Sequence, residues 1–180
     1  LTAFAQKDSV HILKDSIQII TQSSILNSRV ERISPLDSVL WTLEECWVFN
    51  SGDKNEFSEK YFDDRNWQKA KTGLEQEDID KLAFKGLGWF RIHFKIDSSN
   101  VNQSLALIIR QEGASEIYLD GKLLMKYGVV SKDDNTEERY SPALEHINIQ
   151  IKDTLTHVLA IKYSNCDYQH SYNSSGNIHA

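Results

Sequence analysis

Hydrophobic and polar residues alternate most clearly from Trp89 to Ile96, where Phe90, Ile92, Phe94 and Ile96 share one face and Trp89, Arg91, His93 and Lys95 the other. A period of two is that of a β-strand, and this one is expected to place one face in a core and the other in water. Residues 105–111, LALIIRQ, are almost continuously apolar, as in a strand covered on both sides, and Glu112-Gly113-Ala114 interrupts them. In EIYLDGKLLMKYG, Asp120-Gly121 separates two apolar runs, the strongest short-range hairpin signal, because both turn positions need positive φ. Two more strands are expected near His146–Ile151 and His157–Tyr163, with the charged loop VVSKDDNTEERYSP before them. Upstream, WTLEECWVFN (41–50) alternates loosely and stops at the turn signal Ser51-Gly52-Asp53, so it reads as one strand. Residues 8–40, with Ile17-Gln18-Ile19-Ile20, show no sustained helical period.

The segment EFSEKYFDDRNWQKA predicts a short helical turn followed by one capped by Asp63 or Asp64, with Trp67 packing inward. Short strands, frequent turn signals and very little helix point to an all-β fold, a two-sheet β-sandwich or jelly roll with a short N-terminal arm. Neither an internal repeat nor a low-complexity segment is visible.

Length and charge narrow the picture. The 180 residues, 40% hydrophobic, suffice for one sizeable core. A formal net charge of -6 and a pI near 5.5 argue against nucleic acid as a partner, since phosphate binding depends on clustered lysine and arginine. Ala3-Phe4-Ala5 fits the small-x-small end of an export signal, which would start the mature chain at Gln6; a ragged terminus is the alternative. No stretch approaches the ~18 apolar residues of a membrane-crossing helix. The polar run SYNSSGNIHA suggests the front end of something longer, with any membrane span beyond Ala180. The expected organisation is therefore an export remnant over 1–5, a lead-in strand or arm over 6–40, a β-sandwich over 41–166, and a polar tail or linker over 167–180.

Candidate chemistry is sparse. There is no G-x-S-x-G elbow, phosphate-binding glycine loop or H-E-x-x-H, and no nucleophile is presented. Glu44-Glu45 reads as a solvated edge, His93 as an ordinary strand imidazole, and His170 and His179 as tail residues. Cys46 and Cys166 lack metal-ligand spacing; they either pair, closing a loop worth roughly 4 kcal/mol or more if the first and last strands are neighbours, or stay as two buried free thiols. Asp53, Asp63 and Asp64 could offer oxygens to calcium, or serve as caps; no other cofactor is expected. Trp89 with Arg91 on the wet face could stack on a sugar and grip its hydroxyls, or simply cover a sandwich edge. Arg110, Gln111 and Glu112 would sit on a rim where ligand loops gather, or at a solvated strand end.

The segments YFDDRNWQ, GLGWFRIHFKI, GASEIYLDGKLL and HVLAIKYSN together resemble the galactose-binding-like jelly roll of the sugar-binding domains in family 2 glycoside hydrolases. They are more similar still to the version at the front of exported bacterial sensors, membrane histidine kinases and serine phosphatases of Bacteroidetes type. The resemblance covers Trp47 to Asn165. It implies that Asp63, Asp64 and Trp67 structure the lead-in, that Gly88 to Arg91 begins a central strand, and that this chain is not itself an enzyme, because the hydrolases keep their catalytic carboxylates in a separate barrel. After Trp67 the run KAKTGLEQEDIDKLAFKGLG lacks the proline-histidine-aspartate run common in the hydrolases, which favours the sensor.

The expectation is thus an extracytoplasmic ligand-binding or sensory domain, periplasmic or on the cell exterior, tethered to a downstream transmembrane signalling region. Its ligand would be an unidentified small molecule or carbohydrate. An accessory carbohydrate-binding module of a hydrolase and a purely structural interaction module are the alternatives.

Overall fold

The computed structural model describes residues 16–19, 30–33, 41–43, 46–71, 76–142 and 145–166. Glu44-Glu45, the export motif at Ala3–Ala5, and His170 and His179 lie outside them. One sheet has four strands: β1 (Ser16–Ile19), β3 (Trp41–Thr42), β7 (Ser104–Arg110) and β10 (His146–Gln150), in the order β10-β7-β1-β3. The other has seven: β2 (Val30–Ile33), β4 (Trp47–Asn50), β5 (Gln68–Ala70), β6 (Leu87–Ile96), β8 (Ala114–Leu119), β9 (Lys122–Tyr127) and β11 (His157–Ser164). Its order is β5-β4-β6-β11-β8-β9, all antiparallel, with β2 pairing parallel to β6 at His93–Ile96. The all-β sandwich is therefore the fold of this chain.

Alternation along the strands builds the core. Phe49, Phe90, Ile92, Phe94, Ile117, Leu159 and Ile161 of the larger sheet and Leu105, Leu107, Ile109, Ile147 and Ile149 of the smaller one form a single buried cluster. Each such side chain contributes roughly 1.5–3 kcal/mol on burial. The hairpin turn is as its residues demand, with φ of 50° at Asp120 and 84° at Gly121.

Several expectations change. The 41–50 strand is two strands in different sheets, because Cys46 adopts φ 65° and redirects the chain. Of the lead-in strand or arm expected over 6–40, the described residues form strands, β1 in one sheet and β2 in the other. In β7 only Leu105, Leu107 and Ile109 are buried, and Ala106 and Ile108 are half-buried, so the run is not covered equally on both sides. A helix unforeseen from the sequence, α1 (Gln76–Leu82), follows β5. Of the two turns expected over 56–70, Asn55–Ser58 is a 3-10 turn, and in the one that follows Asp63 Oδ1 accepts the Arg65 amide at 3.1 Å.

Neither cysteine is in a disulfide. Continuing the registers by two residues puts Cys46 level with His93 and Cys166 level with Lys85. Eight residues along β6 separate them by roughly 26 Å, far beyond disulfide reach.

The largest correction concerns the outer face of β6. Trp89 and Arg91 are completely buried, because residues 55–67 fold over this face and form a second, smaller apolar cluster of Val48, Phe57, Trp67, Trp89, Val158 and Ala160. The face is dry at Trp89 and Arg91, whereas His93 and Lys95 further along it are half-buried.

Candidate functional site

The buried outer face joins the two sequence motifs. Arg91 Nε donates to Asp64 Oδ2 at 2.8 Å, and Nη1 donates to the carbonyls of Phe57 and Glu59. The guanidinium thus ties β6 to the covering segment at three points while lying 5.7 Å from the Phe62 ring centroid and 5.8 Å from that of Trp67. His93 Nε2 meets the same Asp64 oxygen at 2.7 Å. Burial opposes the Asp64 charge, but the hydrogen bonds from His93 and Arg91 outweigh it and hold the carboxyl below its ordinary value. Phe57 packs edge-on against Trp67 at 4.9 Å and Trp89 at 6.1 Å. Gly88 is required by packing: a Cβ there would come within 2.3 Å of the Phe49 ring.

These contacts hold a wall together. They leave neither Trp89 nor Arg91 accessible to a ligand in this conformation. The three aspartates considered for calcium do not converge either: Asp53 pairs with Lys162 at 2.6 Å, Asp63 with Arg65 at 2.7 Å, and Asp64 with Arg91. No group of three histidine, cysteine, aspartate or glutamate side chains among the described residues could hold a metal.

The other sequence candidates lie at the end of the sandwich where β7 passes into β8. Arg110 and Glu112 are exposed, whereas Gln111 is buried and its Nε2 donates to Gly113 O at 3.0 Å and to Tyr140 O at 3.1 Å. Gln111 is thereby a brace between two loops. Tyr140 N donates in turn to Gly113 O at 3.0 Å. The loops are packed tightly: a Cβ on Gly113 would lie 1.9 Å from Ser164 O, and one on Gly128, at φ 74°, 1.9 Å from Glu138 O. Only glycine permits either approach.

On this braced rim, the rings of Tyr127 and Tyr140 stack with centroids 5.6 Å apart and planes 1° from parallel. Tyr127 is buried, but Tyr140 is 42% exposed and its hydroxyl donates to Glu145 Oε1. That bond pushes the Tyr140 phenol up, and burial followed by the Glu145 charge does the same to Tyr127, so both are neutral donors at ordinary pH. The 128–145 segment carries five carboxylates, Asp133, Asp134, Glu137, Glu138 and Glu145, against Lys132 and Arg139. Arg139 spans two of them, with Nη2 2.9 Å from Asp134 and Nε 3.2 Å from Glu137. Glu137 Oε2 also accepts the Cys166 amide at 3.0 Å, tying the loop to the end of β11. Burial first, and then the negative charge of Glu137, push the Cys166 thiol up to about 11, which leaves it unreactive.

Tyr140 was absent from the sequence candidates because a tyrosine in a charged loop carries no periodic signal. A concavity of about 210 Å³ lies between β5 and α1 and is lined by Gln68, Lys69, Lys71, Asp78 and Lys81 among others. Lys71 is paired there with Asp78 at 3.0 Å.

No family model matches this chain, and no curated protein matches it. Among solved structures it is similar to a glycosyl hydrolase family 2 member from Bacteroides cellulosilyticus, with 18% identity and a TM-score of 0.49 over 68% of this chain and 17% of that one. It is also similar to a β-glucuronidase from Bacteroides uniformis, with 17% identity and a TM-score of 0.49 over 68% of this chain and 14% of that one. The chain spans less than a fifth of the length of either.

Proposed function

We propose that this chain is a non-catalytic recognition domain that takes a hydroxyl-rich ligand of carbohydrate type at the rim around Tyr140. The observation that carries the reading is the exposed Tyr140 ring, backed on one side by Tyr127 and set among carboxylates. An aromatic face stacks on the apolar face of a pyranose, and carboxylates and guanidinium groups exchange hydrogen bonds with its hydroxyls. Arg110, the last residue of β7, and Glu112, in the loop after it, fall within the same end of the sandwich. The sequence resemblance to sugar-binding jelly rolls supports the ligand class.

The test is a thermal-shift screen of the chain against mono- and oligosaccharides, calcium and small anionic metabolites. Ligand bound only by the folded state raises Tm by mass action. A saccharide is expected to give a shift that Tyr140→Ala abolishes, calcium is expected to give none, and chromogenic glycosides are expected to stay intact. A shift confined to calcium, or saccharide binding untouched by Tyr140→Ala, would overturn the assignment of the rim.

A finer form of the reading makes the domain the extracytoplasmic input of a membrane histidine kinase or serine phosphatase. What favours it is the stretch after Trp67, which here forms β5 and α1 where the hydrolases carry their proline-histidine-aspartate run. Sequencing the complete gene decides this form: transmembrane helices followed by a kinase or phosphatase support it, and a contiguous barrel rich in paired carboxylates favours the accessory module of a hydrolase instead.

A further inference from the structure

Beneath Tyr140 lie two hydroxyls that have no structural use. Ser115 and Tyr127 face each other directly across β8 and β9, and Ser115 is paired on its other side with Tyr163 of β11. Direct cross-strand partners project from the same face, with Cβ atoms about 4.5–5.5 Å apart. Ser115 is fully buried and Tyr127 is 3% exposed, yet Ser115 Oγ and the Tyr127 hydroxyl make no hydrogen bond. Ser115 is thus a small residue between two tyrosines, and Tyr140 stacks on the Tyr127 ring. The backbone around it cannot give, because Gly113 and Gly128 are already in contact with Ser164 and Glu138. The movable part of the cover is the Tyr140 side chain, whose hydroxyl is held only by the Glu145 bond.

Alanine or valine at 115 and phenylalanine at 127 would fill the same space without a buried unsatisfied group. Retaining both hydroxyls at a cost to stability is the pattern of residues kept for a ligand. We propose that Ser115 and Tyr127 form a hydroxyl-lined specificity notch that Tyr140 uncovers, and that it receives one neutral hydroxyl of the ligand while the ligand's apolar face replaces or shares the Tyr140 stack. Each protein hydroxyl can donate and accept, so either one can take a ligand hydroxyl. A carboxylate or phosphate is disfavoured by Glu145 close by. This inference rests on the rim reading and refines the choice of ligand within it.

The test uses Tyr127→Phe and Ser115→Ala, with the methyl glycosides of glucose, galactose and mannose as probes followed by NMR titration, and Tm measured without probe. The expected result is a pair of opposite changes: Tm of the unliganded variants rises by a few degrees, because an unmade buried hydrogen bond is removed. Affinity for whichever probe the wild-type chain binds falls about tenfold, the effect of one lost ligand hydrogen bond. Unchanged affinity in both variants, with Tyr140→Ala still abolishing binding, would overturn the notch and leave the rim standing. A fall in Tm for both variants would show that the hydroxyls serve the fold and would also overturn the notch. Absence of binding to any of the probes by wild type and by Tyr140→Ala alike would overturn the rim reading and the notch with it.

Discussion

The outer face of β6 and the rim around Tyr140 are built from similar residues, aromatics beside charges, and they behave in opposite ways. On the outer face Arg91 is completely buried and donates to Asp64, Phe57 and Glu59, all within the chain, while its Nη2 and the Trp89 Nε1 make no hydrogen bond. At the rim the aromatic is exposed, and its buried neighbours Ser115 and Tyr127 carry hydroxyls without partners. A conspicuous motif sealed beneath its own covering segment is architecture, whereas a plain segment that presents an aromatic ring to solvent beside unpartnered hydroxyls has capacity for a ligand. Here the richest sequence motif marks the first kind, and the candidate site lies in a loop without one.

Removing the buried guanidinium should sharpen this contrast most. Arg91→Ala takes the buried guanidinium away from Asp64 and is expected to cost about 3–5 kcal/mol, with Trp67→Ala similar through lost packing. Urea denaturation would measure both, and an unchanged midpoint for either would mean that the covering segment does not depend on that contact. Next in size is Gly128→Ala, which forces a side chain into a φ of 74° and against Glu138 O. It should cost about 1–3 kcal/mol and weaken saccharide binding by shifting the rim, whereas an equivalent loss is not expected from an alanine at exposed Glu138.

Acidification gives a smaller and graded effect. The Asp64 and Asp120 carboxyls are held below their ordinary value of 3.8: burial raises both, but His93 and Arg91 at Asp64, and Lys60, the Val158 amide and His157 at Asp120, outweigh it. A depressed folded-state pKa contributes stability that is present above 3.8 and is lost as pH falls through the folded value. Tm should therefore drop below pH 4, and Asp64→Asn should flatten that drop while lowering Tm at neutral pH. The smallest stability change belongs to Tyr140→Ala, within roughly 0.5 kcal/mol because the ring is substantially exposed, and the same variant should lose saccharide binding. A large loss of Tm there would move Tyr140 into the architectural class and erase the distinction between the two regions.

Local patterning decided much of this protein in advance. The alternation of Trp89–Ile96, the strands at 146–151 and 157–163 and the Asp120-Gly121 turn are all found, because pleat and turn conformation depend on residues one to three positions apart. The inward packing of Trp67 was legible for the same reason. Arg110, Gln111 and Glu112 were rightly placed at a strand end, but the bracing role of Gln111 depends on Tyr140, 29 residues away.

What only the tertiary structure decided is which polar residues are dry. Trp-Arg-His-Lys on alternate positions of a strand reads as a wet face until Asp64, 27 residues distant from Arg91, arrives with a covering layer of aromatics. Cys46 gives no local sign that the chain will change sheets, and the separation of Cys46 from Cys166 follows from the registers of β4 and β11 on β6. The Tyr127–Tyr140 stack likewise joins an edge strand to a charged loop. Conformation at a residue is governed by its near neighbours, but the burial of a charge or a ring depends on partners that reach it only when the two sheets and their covering segment come together.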